Sequence, residues 1–228
     1  MNQIGSIPAS DGHIQLSYLH RPAAADEARP WLLVLMHGVG SNEDDLFGLA
    51  EFVPPAFHVA SLRGPFELGP GSHAWFEFSV AADGTRRIHR RQEAVSRNAA
   101  AHTVQALGRE LGVPPERTVL GGFSQGGIMA LSLLRTRPDL MHAAMVMHGR
   151  LLPEVDTLEA PPEALQGKAL WVSHGQQDGV IPLASAQAIR DWAAERPLAM
   201  RYREFPGAHE IRLEELRAVM GWLGELAG

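Results

Sequence analysis

The sequence contains no cysteine among its 228 residues. This excludes disulfide bonds, zinc sites built on thiolates and a cysteine nucleophile. An excess of basic residues is also absent, and the net charge of −6 gives no reason to expect nucleic acid or an anionic membrane surface as a partner. No apolar run reaches the roughly 18 residues of a membrane span, and residues 1–11 lack the basic and apolar segments of a secretory signal. We therefore expect a cytoplasmic protein.

Apolar runs typical of strands alternate with helical patterns along the chain. The run Trp31–Met36 is apolar at every position, which predicts a central strand buried on both faces. The segment Ile14–His20 alternates apolar and polar residues, which predicts an edge strand. Further strands are predicted over 57–62, 143–147, 169–173 and 200–205, and helices over 44–51, 91–111, 128–135, 183–194 and 211–226. The alternation predicts one α/β domain over residues 1–228, with a mostly parallel sheet covered by helices on both faces.

The pentapeptide at 122–126, Gly-Phe-Ser-Gln-Gly, matches the G-x-S-x-G nucleophile elbow. A short apolar run precedes it and a helical segment follows, which is the strand-turn-helix context that this motif requires. Ser124 is therefore the candidate nucleophile. The N–H of Gln125, at the start of the new helix, is the first candidate donor to an oxyanion.

A serine hydroxyl needs a base within hydrogen-bond reach and a carboxylate that orients the base. Asp178 follows the strand predicted at 169–173, and His209 follows the last predicted strand. Functional loops gather beyond the carboxyl ends of parallel strands, so we expect these side chains to meet Ser124. The order Ser, Asp, His along the chain is that of α/β-hydrolases.

Two loops are candidates for completing the site. The loop 37–42 leaves the central strand, and we expect the N–H of Val39 to be the second oxyanion donor. The loop 69–76 is rich in glycine and aromatic residues, and we interpret it as a pocket wall presenting Trp75 and Phe76. A core position for these two aromatic residues stays open. Four arginines between Arg86 and Arg91 are interpreted as a solvated face.

The chain resembles the phospholipase/carboxylesterase family of α/β-hydrolases, which includes small bacterial carboxylesterases and acyl-protein thioesterases. The resemblance is carried by five segments, at 35–40, 75–76, 121–127, 174–182 and 207–211. It implies an α/β-hydrolase fold without a large lid domain, Ser124 as nucleophile, His209 as general base and acid, and Asp178 as its orienting partner. It also implies a small ester or thioester substrate and no metal or organic cofactor, and a homodimer is expected only by analogy.

The chain departs from the family pattern at His148, where a serine is usual, and at Val39, where leucine is commoner. Both changes are expected to reshape the substrate pocket, to which His148 and Ile181 are assigned with the two aromatic residues. A carboxylesterase acting on short to medium acyl esters is the leading hypothesis. An acyl-protein thioesterase or a lysophospholipase is the alternative within the family.

Two readings from other classes remain open. One is a catalytically silent hydrolase fold that binds a ligand or acts as a scaffold. The other is a metal hydrolase that uses histidines with nearby carboxylates, for which no H-E-x-x-H or similar ligand spacing is present. The histidines considered for that reading are His37, His148, His174 and His209.

Overall fold

A computed structural model of the protein describes residues 3–6, 16–80, 82 and 86–228. The strands are β1 (Gln3–Ser6), β2 (Ser17–Arg21), β3 (Trp31–Met36), β4 (Phe57–Leu62), β5 (Phe66–Gly69), β6 (Ser72–Ala74), β7 (Phe78–Val80), β8 (Arg86–Ile88), β9 (Thr118–Phe123), β10 (Ala143–Met147), β11 (Ala169–Gly175) and β12 (Ala199–Phe205). The α-helices are α1 (Glu43–Phe47), α2 (Arg90–Leu111), α3 (Gln125–Thr136), α4 (Leu183–Ala194) and α5 (Leu213–Ala227).

One sheet of eight strands carries the fold, in the order β1-β2-β4-β3-β9-β10-β11-β12. The six strands from β4 to β12 run parallel to one another, while β2 is antiparallel to both β1 and β4. The parallel strands therefore end at the same edge of the sheet, where their following loops meet.

Helices cover both faces of this sheet, as the uninterrupted apolar pattern of β3 requires. Leu32 and Val34 of β3 belong to a core shared with α2, α3 and α4. Leu33 and Leu35 point to the opposite face and belong to a second core, shared with α1 and α5. This confirms the predicted α/β-hydrolase architecture, with a mostly parallel sheet and helices on both faces.

The departures from the predicted elements lie near the chain start and in the loops. The segment Ile14–His20 was assigned to an edge strand, but β2 is the second strand, because β1 pairs with its outer side; Ile14 itself lies outside the described residues. The loop assigned to 69–76 includes part of a hairpin, β5 with β6. The predicted helix at 44–51 is divided into α1 and a 3₁₀ turn, Ala50–Phe52.

The longest excursions from the sheet in the described ranges are two hairpins between β4 and α2 and a segment of 3₁₀ turns between β10 and β11. Neither is large enough to form a lid domain, as predicted. No helix among the described residues combines the length and the hydrophobicity needed to cross a membrane.

Candidate active site

Ser124 lies at the sharp turn between β9 and α3, in a backbone conformation that a serine rarely adopts. Its φ is 54° and its ψ is −117°, a combination that is energetically unfavourable for a residue with a Cβ. Two backbone hydrogen bonds hold it there: its N–H donates to the carbonyl of Met147 at 2.9 Å, and its own carbonyl accepts from Ile128 N–H at 3.0 Å. The surrounding sheet and helix thus compensate for the strain.

The glycines on either side of Ser124 are required by the close approach of three backbone segments. A Cβ on Gly126 would collide with the carbonyl of Met36 at the end of β3. A Cβ on Gly122 would collide with the backbone of Gly126 itself. Only glycine lets β9 turn this tightly into α3, and the turn lifts the serine hydroxyl above the sheet edge.

The three residues that the sequence assigned to the triad are hydrogen-bonded in series. His209 Nε2 lies 2.8 Å from Ser124 Oγ, and His209 Nδ1 lies 2.7 Å from Asp178 Oδ2. The carboxylate makes Nδ1 the protonated nitrogen, so Nε2 is left to accept the serine proton. Ser124 is 7% exposed and the His209 side chain is 15% exposed. The arrangement has the geometry of a nucleophile with its general base.

Asp178 is held as an anion by four hydrogen bonds. Its Oδ1 accepts from the N–H groups of Val180 and Ile181, both at 2.8 Å. Its Oδ2 accepts from the rings of His209 and His148. Burial by itself raises the pKa of Asp178, but these bonds outweigh burial and lower the pKa to about 2. The carboxylate is therefore ionised across the range in which a serine hydrolase works.

His148 is a second imidazole in contact with the same carboxylate oxygen of Asp178. Its Nδ1 lies 2.9 Å from Asp178 Oδ2, and its Nε2 lies 3.2 Å from Glu215 Oε2. Ser173 Oγ donates to the other Glu215 oxygen at 2.6 Å. Burial lowers the pKa of His148, but the carboxylates of Glu215 and Asp178 outweigh burial and raise it. His148 thus bridges the two carboxylates and helps to hold Asp178 in position.

His148 was assigned to the substrate pocket, and the structure corrects this placement. Its side chain is fully buried beneath Asp178 and does not line the cavity at Ser124. The reason is that both ring nitrogens contact buried carboxylates, Nδ1 that of Asp178 and Nε2 that of Glu215.

His148, His174 and Asp178 form a cluster whose donor atoms lie within 4.8 Å of one another. His174 Nε2 donates to the carbonyl of Ile181 at 2.8 Å, and burial lowers the pKa of His174. A cation here would have to displace the imidazole N–H groups from which Asp178 Oδ2 accepts hydrogen bonds. These hydrogen bonds therefore favour a role for Asp178 in orienting imidazoles over a role as a metal ligand.

A cavity of about 60 Å³ opens beside Ser124. The predicted residues among its lining are Val39, Phe76, Gln125 and Ile181. Within the described ranges, neither the N–H of Val39 nor that of Gln125 donates to a protein acceptor. Two free backbone donors beside a nucleophile are the feature that an oxyanion hole needs.

Trp75 takes the core position that the sequence left open, and not the predicted position in the pocket wall. The side chain is fully buried, outside the cavity lining, and its Nε1 donates to the carbonyl of His37 at 3.0 Å. The side chain of Gln125 holds this segment as well, since it accepts from Trp75 N–H at 2.8 Å and donates to the carbonyl of Phe76 at 2.6 Å. Trp75 thus fixes the hairpin to the elbow, and its neighbour Phe76 reaches the cavity.

The sequence analysis did not single out two charged residues near the site, Glu215 and Arg150, and it assigned a third, Arg86, to a solvated face. Glu215 shares the buried face of α5 with Val219 and Trp222, and a carboxylate at this helical spacing among apolar residues is a signal that could have found it. Arg86, assigned to a solvated face, and Arg150 both line the cavity. No sequence pattern pointed to Arg150.

Comparison with known proteins agrees with this geometry. Residues 23–226 match the model of the phospholipase/carboxylesterase family. The chain belongs to this family. Its curated relatives include proteins named esterase and carboxylesterase, and the chain is a carboxylic ester hydrolase.

Among curated members of the family, the esterase YpfH of Escherichia coli is 29% identical over 73% of this chain and 69% of its own length. The acyl-protein thioesterase 1 of Neurospora crassa is 28% identical over 77% of this chain and 73% of its own. Among solved structures, a Bacillus cereus carboxylesterase matches with a TM-score of 0.78 over 92% of this chain and 94% of its own, at 22% identity. At that identity, the structural match supports the fold alone.

Proposed function

We propose that the protein cleaves short to medium acyl esters by a two-step acyl transfer through Ser124. The observation that carries this proposal is the position of His209, with one ring nitrogen on Ser124 Oγ and the other on Asp178 Oδ2. We also propose that residues 1–228 form a single domain, which is supported by the position of all three triad residues after strands of one sheet.

In the first step, Ser124 Oγ attacks the ester carbonyl while His209 Nε2 takes the hydroxyl proton. The oxyanion of the tetrahedral intermediate accepts hydrogen bonds from the N–H groups of Val39 and Gln125. The carbon–oxygen bond to the alcohol then breaks, and His209 returns the proton to the leaving alkoxide. Asp178 remains an anion throughout and stabilises the imidazolium.

In the second step, water attacks the acyl-enzyme while His209 Nε2 removes one of its protons. The second tetrahedral intermediate collapses, the bond to Ser124 Oγ breaks, and the serine recovers its proton from His209. The products are one carboxylic acid and one alcohol, and no other reactant is needed.

The small cavity favours short acyl groups. We expect kcat/KM for p-nitrophenyl esters to be largest from acetate to butyrate and to fall at least about 10-fold toward long-chain esters, because a cavity of about 60 Å³ has no room for a long acyl chain. The series is measured by release of p-nitrophenolate, with and without a chelator, and the chelator should change nothing.

A rise of kcat/KM toward long chains would contradict the preference for short acyl groups and favour a lysophospholipase or an acyl-protein thioesterase. The name of the Neurospora crassa relative supports thioesters as the second substrate class. Absence of hydrolysis at every chain length would favour a silent binding protein, and loss of activity with the chelator would favour a metal hydrolase.

A further inference from the structure

A second cavity adjoins the one at Ser124. It has a volume of about 730 Å³ and borders the catalytic cavity, since Arg86 and Arg150 line both. Arg87 and Arg90 line its outer part, and the carboxylate of Glu154 is the acidic group among its lining residues. We call this second cavity the arginine groove.

The charge around the arginine groove is opposite to that of the whole protein. Four arginines face one glutamate there, whereas the chain has a net charge of −6. Glu154 stands near Arg150 and partly offsets its charge, but burial and the nearby Arg86 both lower the pKa of Arg150. A guanidinium stays protonated in proteins, so the groove remains cationic.

The two shared arginines are held in place by the backbone and keep donors free. Arg86 Nη2 donates to the carbonyl of Val180 at 2.9 Å, and its guanidinium lies over the ring of Phe78. Arg150 Nη1 donates to the carbonyl of Leu151 at 3.1 Å. In the part of the chain that the structure describes, neither guanidinium forms an ion pair with a carboxylate, although each has five N–H donors.

The arginine groove is suited to bind an anion. The guanidinium groups of Arg86 and Arg150 repel each other, and a carboxylate or phosphate between them would accept charge-assisted hydrogen bonds from both. Phe76, Phe78 and Val180 line the catalytic cavity together with the two arginines. The cavity at Ser124 therefore offers apolar surface and, where it adjoins the groove, positive charge.

We propose that the preferred substrates are esters carrying an anionic group, a carboxylate or a phosphate, that binds between Arg86 and Arg150 while the ester carbonyl lies at Ser124. This inference rests on the proposed ester hydrolysis and names its substrate class. The anionic group is separated from the scissile carbonyl by an apolar linker that spans the cavity.

The test compares matched esters that differ in charge. Monomethyl adipate is set against methyl hexanoate, which places a carboxylate in the acyl part, and monobutyryl glycerol phosphate against monobutyrin, which places a phosphate in the alcohol part. The measured quantity is the ratio of kcat/KM for the anionic ester to that for the neutral one. We expect the wild type to favour the anionic ester of at least one pair by about 10-fold or more, as charge-assisted hydrogen bonds allow.

The ratio should fall to about one in the Arg86→Gln/Arg150→Gln double variant and should be partly retained in Arg150→Lys. Added salt should lower it in the wild type, because exposed charges are screened. Arg109→Gln, the same charge change in a surface depression lined by other residues, should leave it unchanged. The ester pair with the higher ratio of kcat/KM shows whether the groove prefers a carboxylate or a phosphate.

Equal hydrolysis of both members of each pair, or a ratio that survives the double variant, would overturn the inference and leave ester hydrolysis standing. Hydrolysis of neither the anionic nor the neutral esters would overturn the inference together with the proposed function.

Discussion

Replacing Ser124 with alanine is expected to lower kcat for ester hydrolysis by roughly 10⁴- to 10⁶-fold, with His209→Ala close behind. The serine oxygen forms the bond to the acyl group, and the imidazole moves its proton, so neither step proceeds without both. The residues act as a unit, and the double variant should be scarcely worse than either single one. The remaining rate would come from the oxyanion donors and substrate binding.

The measurement is kcat with p-nitrophenyl butyrate for the wild type, both single variants and the double variant. Ser61→Ala is the matched control, because Ser61 is fully buried in β4 and its hydroxyl has no hydrogen-bond partner among the described residues. This control should keep wild-type activity. Near-normal turnover by Ser124→Ala, or losses that multiply in the double variant, would contradict the assigned roles.

Replacing Glu215 with glutamine is expected to cost about 3 kcal/mol of unfolding free energy, as breaking a buried ion pair does. The carboxylate is 1% exposed and faces the buried ring of His148. The amide keeps the shape and can still accept from Ser173, but it removes the negative charge that keeps His148 protonated. The measurement is the free energy of unfolding of wild type and Glu215→Gln, obtained by denaturant titration at about pH 6.

The effect should depend on pH with a definite sign. The pKa of His148 is raised above its ordinary value of 6.5, so its contribution to stability is fully present below that value and is lost as pH rises through the raised pKa. The difference in unfolding free energy between wild type and Glu215→Gln should therefore be largest below pH 6.5 and shrink as the pH rises above it. Glu225→Gln, in the same helix but in an exposed pair with Arg201, should change stability little at any of these pH values. A cost that does not change with pH would contradict a charged His148.

The sequence predicted most of what positions the site. The apolar pattern of β3, the glycines around Ser124 and the order of Ser124, Asp178 and His209 each report a local requirement: burial on both faces, a close backbone approach, and loops at one sheet edge. The structure places these three side chains within hydrogen-bond distance of one another in series. Their catalytic roles stay a prediction that the variants above test.

The errors arise where a side chain's direction depends on tertiary contacts. Trp75 and Phe76 are adjacent in sequence, yet only Phe76 lines the cavity. The indole N–H of Trp75 instead donates to the carbonyl of His37 in the protein interior. The ring of His148 is held by Asp178 and Glu215, which lie 30 and 67 residues further along the chain. No local pattern encodes such pairings.

The direction of the Arg86 side chain also depends on tertiary contacts that the sequence pattern does not show. A run of arginines usually covers a solvated face, and Arg87, Arg90 and Arg91 are indeed exposed. Arg86 differs: it pairs with Val80 across the hairpin of β7 and β8, and its guanidinium lies over the ring of Phe78 on the same partner strand. The cavity that it reaches is built by loops far apart in the sequence.

Covalent labelling with a fluorophosphonate, read by mass spectrometry of the intact protein and of its peptides, tests the acyl transfer through Ser124 most directly. The reagent reacts with a serine only where a base and an oxyanion site activate it. We predict one phosphonyl group per chain, located on Ser124, no adduct in Ser124→Ala, and slower labelling in the presence of a good ester substrate. An unlabelled wild type, or an adduct on another serine, would contradict the proposed mechanism.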